Sequence, residues 1–585
     1  MFKKLFLAKK IRVILLIVHL IPLVGLLWFV ATFGVDIPYW DQWELVNLFK
    51  TVAEHRATFQ NFFSQHNEHR LLFPKLIFTI LAFSSHWSIK LEFYSNIFLA
   101  ILLVLAIQKI AFDQTFEHDR TFHLTSIFTS LLVFSLVQVE NWLWGFQLSW
   151  FLINLCLAIA LLSLVNQTQP IWKKLFIAAV FCAIASFSSA HGLFTWLATL
   201  PTLIILWRNP QPMYRAVFLW IGLFLVCASV YFWGYQKPGG HPDIFYFWRH
   251  PLMAVSYFLT LLGSPLLHGS SLKPVFGLLV FGNFLFFIAW YLKHPSSRFA
   301  QDAAPWISFG LFTVLFDLVT TLGRAGLGVE QAMTSRYTSV SLLLVIALVQ
   351  LWRLALIYRS SRPGWLVVPP ERFQKWCFIS AVVTILVVFS SVDALNAAEK
   401  SRFKLNHARV CLHVAEYLSP SVNNCLESLY PDPNRVRQEA KALNQLGFRD
   451  FPTRITFVTK PEKEFGYFDT PSIVSQDVIR KNCINCGEVS VQGWAILPDR
   501  STPADAVFLT YGGQPKTIFA TAPVNQSSPD VAAAVGKEYR RARWSTHFLP
   551  SFLPSGNTVI KAWVYDPDNK RFVQLRGELK VRVEE

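Results

Sequence analysis

Long apolar runs separated by short polar gaps fill the first two thirds of the chain, and then the pattern breaks. The runs lie at 13–35, 71–85, 91–108, 122–138, 148–165, 171–189, 192–207, 216–234, 251–267, 275–292, 305–322, 337–357 and 376–392. Crossing the hydrocarbon core of a bilayer takes about 20 apolar helical residues, and most of these runs approach that length. Two fall short. Segment 71–85 carries Pro74 and Lys75 near its start, and 251–267 is bracketed by Pro251 and Pro265, so both read as interfacial or re-entrant. Eleven crossings remain, thirteen if those two are counted. From about Ala397 to Leu446 the residues read as helical with polar interruptions, followed by a linker-like stretch with Pro452, Pro461 and Pro471. Beyond Cys486 polarity alternates with period two in Val489–Ile496, Ala506–Tyr511, Thr558–Tyr565 and Leu579–Val583, with turn residues such as Gly512-Gly513 and Asp566-Pro567-Asp568-Asn569 between, which predicts strands of a small β-sandwich. The expected fold is a polytopic α-helical membrane protein with a part-helical, part-β C-terminal domain. Its parts are a membrane domain 1–395 with a first polar loop 36–70, a helical and linker region 396–480, and a sandwich 481–585.

Composition agrees: 53% of the 585 residues are hydrophobic and only 15% charged. The formal net charge of +17 comes from Lys and Arg in short pieces between runs, with no basic helix or aromatic-basic platform, which excludes a nucleic-acid partner and turns the charges into topology signals. With Lys3, Lys4, Lys9, Lys10 and Arg12 inside, eleven crossings leave Lys109 with Arg120, Lys173 with Lys174, Arg208 with Arg215, and Lys293 with Arg298 on the cytoplasmic side. Thirteen crossings would throw the Lys173 and Arg208 loops outward. Either odd count puts the tail on the side opposite the N-terminus. The uncharged stretch Val13–Val35 is too long for a signal-peptide core and lacks a small-residue cleavage site, so it reads as a retained helix. Cys411, Cys425, Cys483 and Cys486 lie in the tail and permit two disulfides in an oxidising compartment, whereas Cys483-x-x-Cys486 has no second ligand pair for zinc.

The eleven-crossing topology collects the unusual polar residues on one face: 36–70, 139–147, 188–192, 235–250 and 323–337. This layout, with Asp36, Asp41 and Glu44 in a first outer loop and a soluble domain after the last crossing, resembles the GT-C superfamily of membrane glycosyltransferases. The chain departs from several member families in lacking an acidic doublet, since Asp36 and Asp41 stand five apart. The resemblance implies transfer of a sugar from a polyprenyl-phosphate or pyrophosphate carrier to an envelope glycan, lipid or protein acceptor, on the extracytoplasmic side of a bacterial inner membrane. The rivals are an envelope-polysaccharide polymerase or ligase, and a lipid-linked-sugar transporter or flippase, for which Asp317 is the main mid-span acid and no internal repeat is evident.

Such a transfer needs a carboxylate to take the acceptor proton and a cation to receive the departing phosphate. Asp41, between Trp40 and Gln42, is the first choice for the base and Asp36 the second; the alternative for both is a helix N-cap. Arg324 and Arg336 flank one outer loop and suit phosphate, with Gly323, Gly326 and Gly328 allowing close backbone approach and Glu330 available to an arginine or an acceptor. Glu68, His69, Arg70, Glu140 and Gln147 are substrate-binding candidates. The residues call for no definite cofactor, and a divalent metal stays open. His66, Glu68 and His69 offer donors to a divalent metal, set against an interfacial helix whose polar face meets water. His191 reads as a satisfied helix-end histidine without chemistry. In the tail, the strand pattern reads as Ig-like, and Gly493-Trp494-Ala495 with Pro529-Asp530-Val531-Ala532 is similar to a β-rich domain of bacterial envelope glycosyltransferases.

Overall fold

The computed structural model describes residues 2–114, 121–207, 214–239, 242–243, 245–267, 270–294, 297–360, 370–419, 422–452, 454–469, 478–481, 488–512 and 518–584. Arg120, Arg208, Cys483 and Cys486 lie outside the described residues. The chain divides into two compact units: Met1–Gly34 with Thr58–Leu81 and Lys90–Ala398, and Val35–Ala57 with Ala82–Ile89 and Glu399–Glu585.

The first unit is helical. Among the described residues seven stretches are long and apolar enough to cross a membrane: Ile89–Asp113, Phe122–Leu143, Gly145–Val165, Arg215–Phe232, Lys273–Lys293, Arg298–Leu327 and Ser335–Tyr358. Shorter apolar helices occupy Ile17–Phe33, Leu72–Ser85, Ala190–Ile205 and Pro251–Gly263. The two stretches expected to fall short form helices of 14 and 13 residues, Leu72–Ser85 and Pro251–Gly263, but Ile17–Phe33 and Ala190–Ile205, within runs expected to cross, also count among the shorter helices. Burial separates inner from outer helices: 83% of the Gly145–Val165 span is buried inside the protein against 17% of Arg215–Phe232. The outer helix keeps Phe218, Leu225 and Val226 exposed, a surface that suits lipid and would be costly in water. Close packing relies on glycine where backbones meet. A Cβ on Gly263 would fall 2.0 Å from the Lys273 carbonyl oxygen, and one on Gly277 1.9 Å from that of Leu259, so helices Pro251–Gly263 and Lys273–Lys293 touch main chain to main chain.

In the second unit two sheets share one core. Gly466–Asp469, Val489–Leu497 and Arg543–Phe548 form the centre of the smaller sheet; Gly556–Asp566, flanked by Ala506–Tyr511, Arg571–Gln574 and Leu579–Glu584, forms that of the larger. Phe468, Val491 and Trp544 from one side meet Val507, Leu509, Ile560, Val564, Val573 and Val581 from the other. Strands Thr456–Val458 and Val478–Arg480 join the larger sheet in parallel, beside Arg571–Gln574 and Leu579–Glu584. The stretch read as linker thus contributes three strands, each too short to display a period-two pattern. Cys411 and Cys425 are joined by a disulfide with Cα atoms 6.3 Å apart.

Candidate active site

The residues around Glu68 form a tight β-hairpin where an interfacial helix was expected. Gln65 pairs with Arg70 and His66 with His69, and Asn67 takes the left-handed conformation (φ 48°) that the turn requires and that asparagine tolerates better than most residues. Arg70 anchors it from beneath: Nε donates to the Tyr231 carbonyl (3.2 Å), Nη1 to that of Phe63 (3.0 Å) and Nη2 to that of Trp233 (2.5 Å). The Arg70 side chain is therefore committed to the protein's own backbone. The Tyr231 hydroxyl in turn donates to the Glu68 carbonyl at 2.6 Å.

The Glu68 carboxylate projects from the hairpin onto Arg324, at the end of helix Arg298–Arg324, and the two side chains are only 21% and 23% exposed. His69 Nε2 lies 3.7 Å from the same carboxylate oxygen. The Ala190 backbone nitrogen lies 3.3 Å from His69 Nδ1, and Nε2 is the ring nitrogen on the Glu68 side. Burial pushes the Glu68 carboxyl up, but His69 and Arg324 together outweigh it and hold the group well below the usual carboxylate range. Glu68 is ionised.

Trp150 links this pair to the second arginine. Its ring lies 6.1 Å from His69, 5.5 Å from His191, 5.2 Å from Phe316 and 6.4 Å from Tyr337. The Arg336 guanidinium sits 5.4 Å from the centre of the Tyr337 ring, and its Nε is buried without a hydrogen-bond partner among the described residues. Gln331 joins two tyrosines, donating to the Tyr337 hydroxyl (3.1 Å) while accepting from that of Tyr257. Arg324 and Arg336 both lie within electrostatic reach of Tyr257. The buried Lys273 donates to the Met333 carbonyl (3.1 Å) and faces Glu140.

Glu140 and Gln147 are held by neighbours of this cluster. Glu140 Oε2 accepts from the Arg336 backbone N–H and the Ser335 hydroxyl, each at 3.0 Å, and the Trp150 indole donates to Gln147 Oε1 at 2.5 Å. His191, assigned no chemistry by the sequence, is buried in the cluster with Nε2 3.2 Å from the Thr320 hydroxyl. Asp317 is fully buried one turn away and accepts from the Ser341 hydroxyl at 3.1 Å and 3.3 Å.

Other expectations meet a different environment. Glu330 is exposed and forms no ion pair with Arg324 or Arg336, Arg324 being taken by Glu68. The loop glycines serve the fold: a Cβ on Gly326 would lie 2.6 Å from Pro242, and Gly328 turns the chain at φ 91°. His66 packs on Phe146 with ring centres 5.2 Å apart, while Glu68 and His69 face Arg324 and Ala190. Among the described residues the one grouping of three His, Cys, Asp or Glu ligand atoms is His407, Cys411 and Cys425, and its two cysteines are already bonded to each other.

Asp36 and Asp41 belong to the second unit. Asp36 accepts from the Ile89 N–H (2.8 Å), the Ser88 hydroxyl (3.2 Å) and Arg449 (2.9 Å), capping a helix that begins more than fifty positions later. Asp41 is half-buried in the helical turn Trp40–Leu45, near Tyr430, which hydrogen-bonds Glu44 at 3.2 Å.

No protein-family model matches the chain, and no curated protein does. Among solved structures it is similar to the crystal structure of ArnT from Cupriavidus metallidurans bound to undecaprenyl phosphate, with 11% identity, a TM-score of 0.38, and 78% of this chain and 83% of that one covered.

Proposed function

We propose that the protein is a membrane glycosyltransferase that moves a sugar from a polyprenyl-phosphate carrier to a glycan, lipid or protein acceptor. The observation that carries this reading is the buried Arg336 Nε, short of an acceptor among the described residues, on a guanidinium that packs on Tyr337 and is linked through Trp150 and His69 to the Glu68–Arg324 pair. Guanidinium groups at the ends of two membrane helices suit a phosphate whose lipid tail stays in the bilayer. In the reaction the acceptor hydroxyl oxygen attacks the anomeric carbon, its proton passes to a carboxylate, and the bond from that carbon to the phosphate oxygen breaks with its electron pair leaving on the phosphate. The arginines stabilise that developing charge.

The proposed setting is a bacterial inner membrane, with the N-terminus cytoplasmic and the tail outside, where the Cys411–Cys425 disulfide can form. The test is binding of a polyprenyl monophosphate to the detergent-solubilised full chain: Arg324→Gln and Arg336→Gln each lower affinity at least tenfold, and unchanged affinity in both overturns the reading. Asp41→Asn separately tests the first-loop base, with lost turnover and intact donor binding expected. Full turnover in that variant removes Asp41 from the chemistry.

A further inference from the structure

Away from the arginine cluster, the second unit holds a group of ligand atoms that plays no part in the proposed transfer. His407 and Cys411 stand four positions apart in helix Pro370–His413, a spacing that sets both side chains on one helical face. Cys425, in the short helix Asn424–Glu427, reaches the same place and closes the disulfide with Cys411. A ring nitrogen of His407 and the two Sγ atoms all lie within 4.8 Å of one another, with both cysteines buried and the histidine half-buried. His407 Nε2 is also 3.1 Å from the Thr521 hydroxyl, on strand Ile518–Pro523, which holds the ring beside the sulfurs.

We propose that His407, Cys411 and Cys425 bind zinc when the disulfide is reduced, so that helix Pro370–His413 and the turn bearing Cys425 are clasped either by a covalent bond or by a metal ion. Two thiolates and an imidazole are donors that tetrahedral zinc favours, at Zn–S about 2.3 Å and Zn–N about 2.0–2.1 Å. Such bonds place the ligand atoms roughly 3.5–3.8 Å apart, so the main adjustment is the parting of the two sulfurs. An external dithiol balances the reduction: its two thiols give two electrons and two protons to the S–S bond, leaving two cysteine thiols and an oxidised reductant. Zinc then displaces the two thiol protons to solvent, and water completes its coordination. While the sulfurs are bonded to each other they are not thiolates, so disulfide and metal exclude one another. The site goes beyond the sugar-transfer reading and does not depend on it.

The test is zinc titration of the full chain in detergent, in a background of Cys483→Ser and Cys486→Ser that removes the other tail cysteines. The protein is compared as oxidised and after reduction by dithiothreitol followed by its removal under nitrogen. Cys156, Cys182 and Cys227 are unpaired in either state and cancel in this comparison. The reduced chain is expected to bind one zinc ion at least tenfold more tightly than the oxidised chain does, and cobalt in its place gives thiolate-to-cobalt charge-transfer absorption. His407→Gln keeps both cysteines, so it folds with its disulfide and is then reduced; its zinc affinity falls at least tenfold, which a bare thiol pair would not show. Zinc also raises the Tm of the reduced chain but not of reduced His407→Gln. The proposal is overturned if the reduced chain binds no zinc, if the oxidised chain binds it equally well, or if reduced His407→Gln keeps full affinity. Unfolding of the tail on reduction that zinc does not prevent overturns it as well.

Discussion

Two ion pairs join the stretch after the first helix to distant arginines, and they differ in everything except their chemistry. Asp36 meets Arg449 and Glu68 meets Arg324, each pair mostly shielded from water. Around Asp36 every nearby group completes a structural bond: the carboxylate takes the Ile89 N–H and the Ser88 hydroxyl, and Arg449 donates to the Trp87 carbonyl at 2.8 Å. Around Glu68 stand His69, His191, Trp150, Tyr257, Tyr337 and a second arginine, groups that can bind or move charge. A carboxylate–guanidinium pair thus says little about role until its surroundings are known. The first pair closes a fold, and the second borders the proposed site.

The sharpest way to separate the two is to remove the cations. Arg324→Gln combined with Arg336→Gln is expected to lower polyprenyl monophosphate affinity at least about a hundredfold, since hydrogen bonds to charged groups contribute about 1.5–3 kcal/mol each, whereas Arg449→Gln leaves it unchanged; titration of both variants beside the unaltered protein decides. Reversing the comparison, Asp36→Ala is expected to cost about 2 kcal/mol of stability through the lost cap and ion pair, read as a lower Tm in detergent with phosphate affinity retained.

Acidification gives the smallest and most graded contrast. Glu68 is held low, so its contribution to stability is complete above the ordinary glutamate pKa and is lost only as pH falls well below it. His413, in the same unit as Asp36, behaves differently: burial first, then Arg409 and Arg449, push it down to about 4. Its native environment disfavours the proton, so the stability it lends is complete above the unfolded value near 6.5 and declines from there to about 4. At pH 5.5 the tail is expected to lose about 1 kcal/mol from this histidine, seen as faster amide hydrogen exchange in strands Gly556–Asp566 and Arg571–Gln574 while the Glu68 hairpin keeps its protection. A hairpin that loosens first would reverse the comparison.

What the sequence made legible follows from the range of the forces involved. Membrane helices announce themselves because uninterrupted apolar length is a local property, and Arg324 and Arg336 stand out as charges at the ends of such runs. The longer strands of the sandwich are equally visible through their alternation. Strands of three or four residues at 456–480 are not, since no periodicity fits within them. Nor could the cap on helix Ile89–Asp113 be foreseen: Asp36 was open to a capping role, but the helix it caps starts 53 positions away. Trp150, Tyr257 and Tyr337 sit at or inside apolar runs, where an interfacial aromatic belt explains them just as well, and Lys273 stands just before the run 275–292 with nothing local to mark it. Only the tertiary fold shows that they surround the arginines.

The grip of Arg70 on the main chain ties the hairpin to the membrane itself. Of the residues whose carbonyls it holds, Tyr231 lies in the final turn of helix Tyr214–Phe232 and Trp233 just past its end, and this is the least enclosed spanning helix among the described residues. A tilt of that outer helix, of the kind bilayer thickness imposes, would bear on the hairpin backbone through the Arg70 bonds to Tyr231 and Trp233 and the Tyr231 hydroxyl on the Glu68 carbonyl, which makes lipid thickness a variable to hold fixed whenever this hairpin is probed.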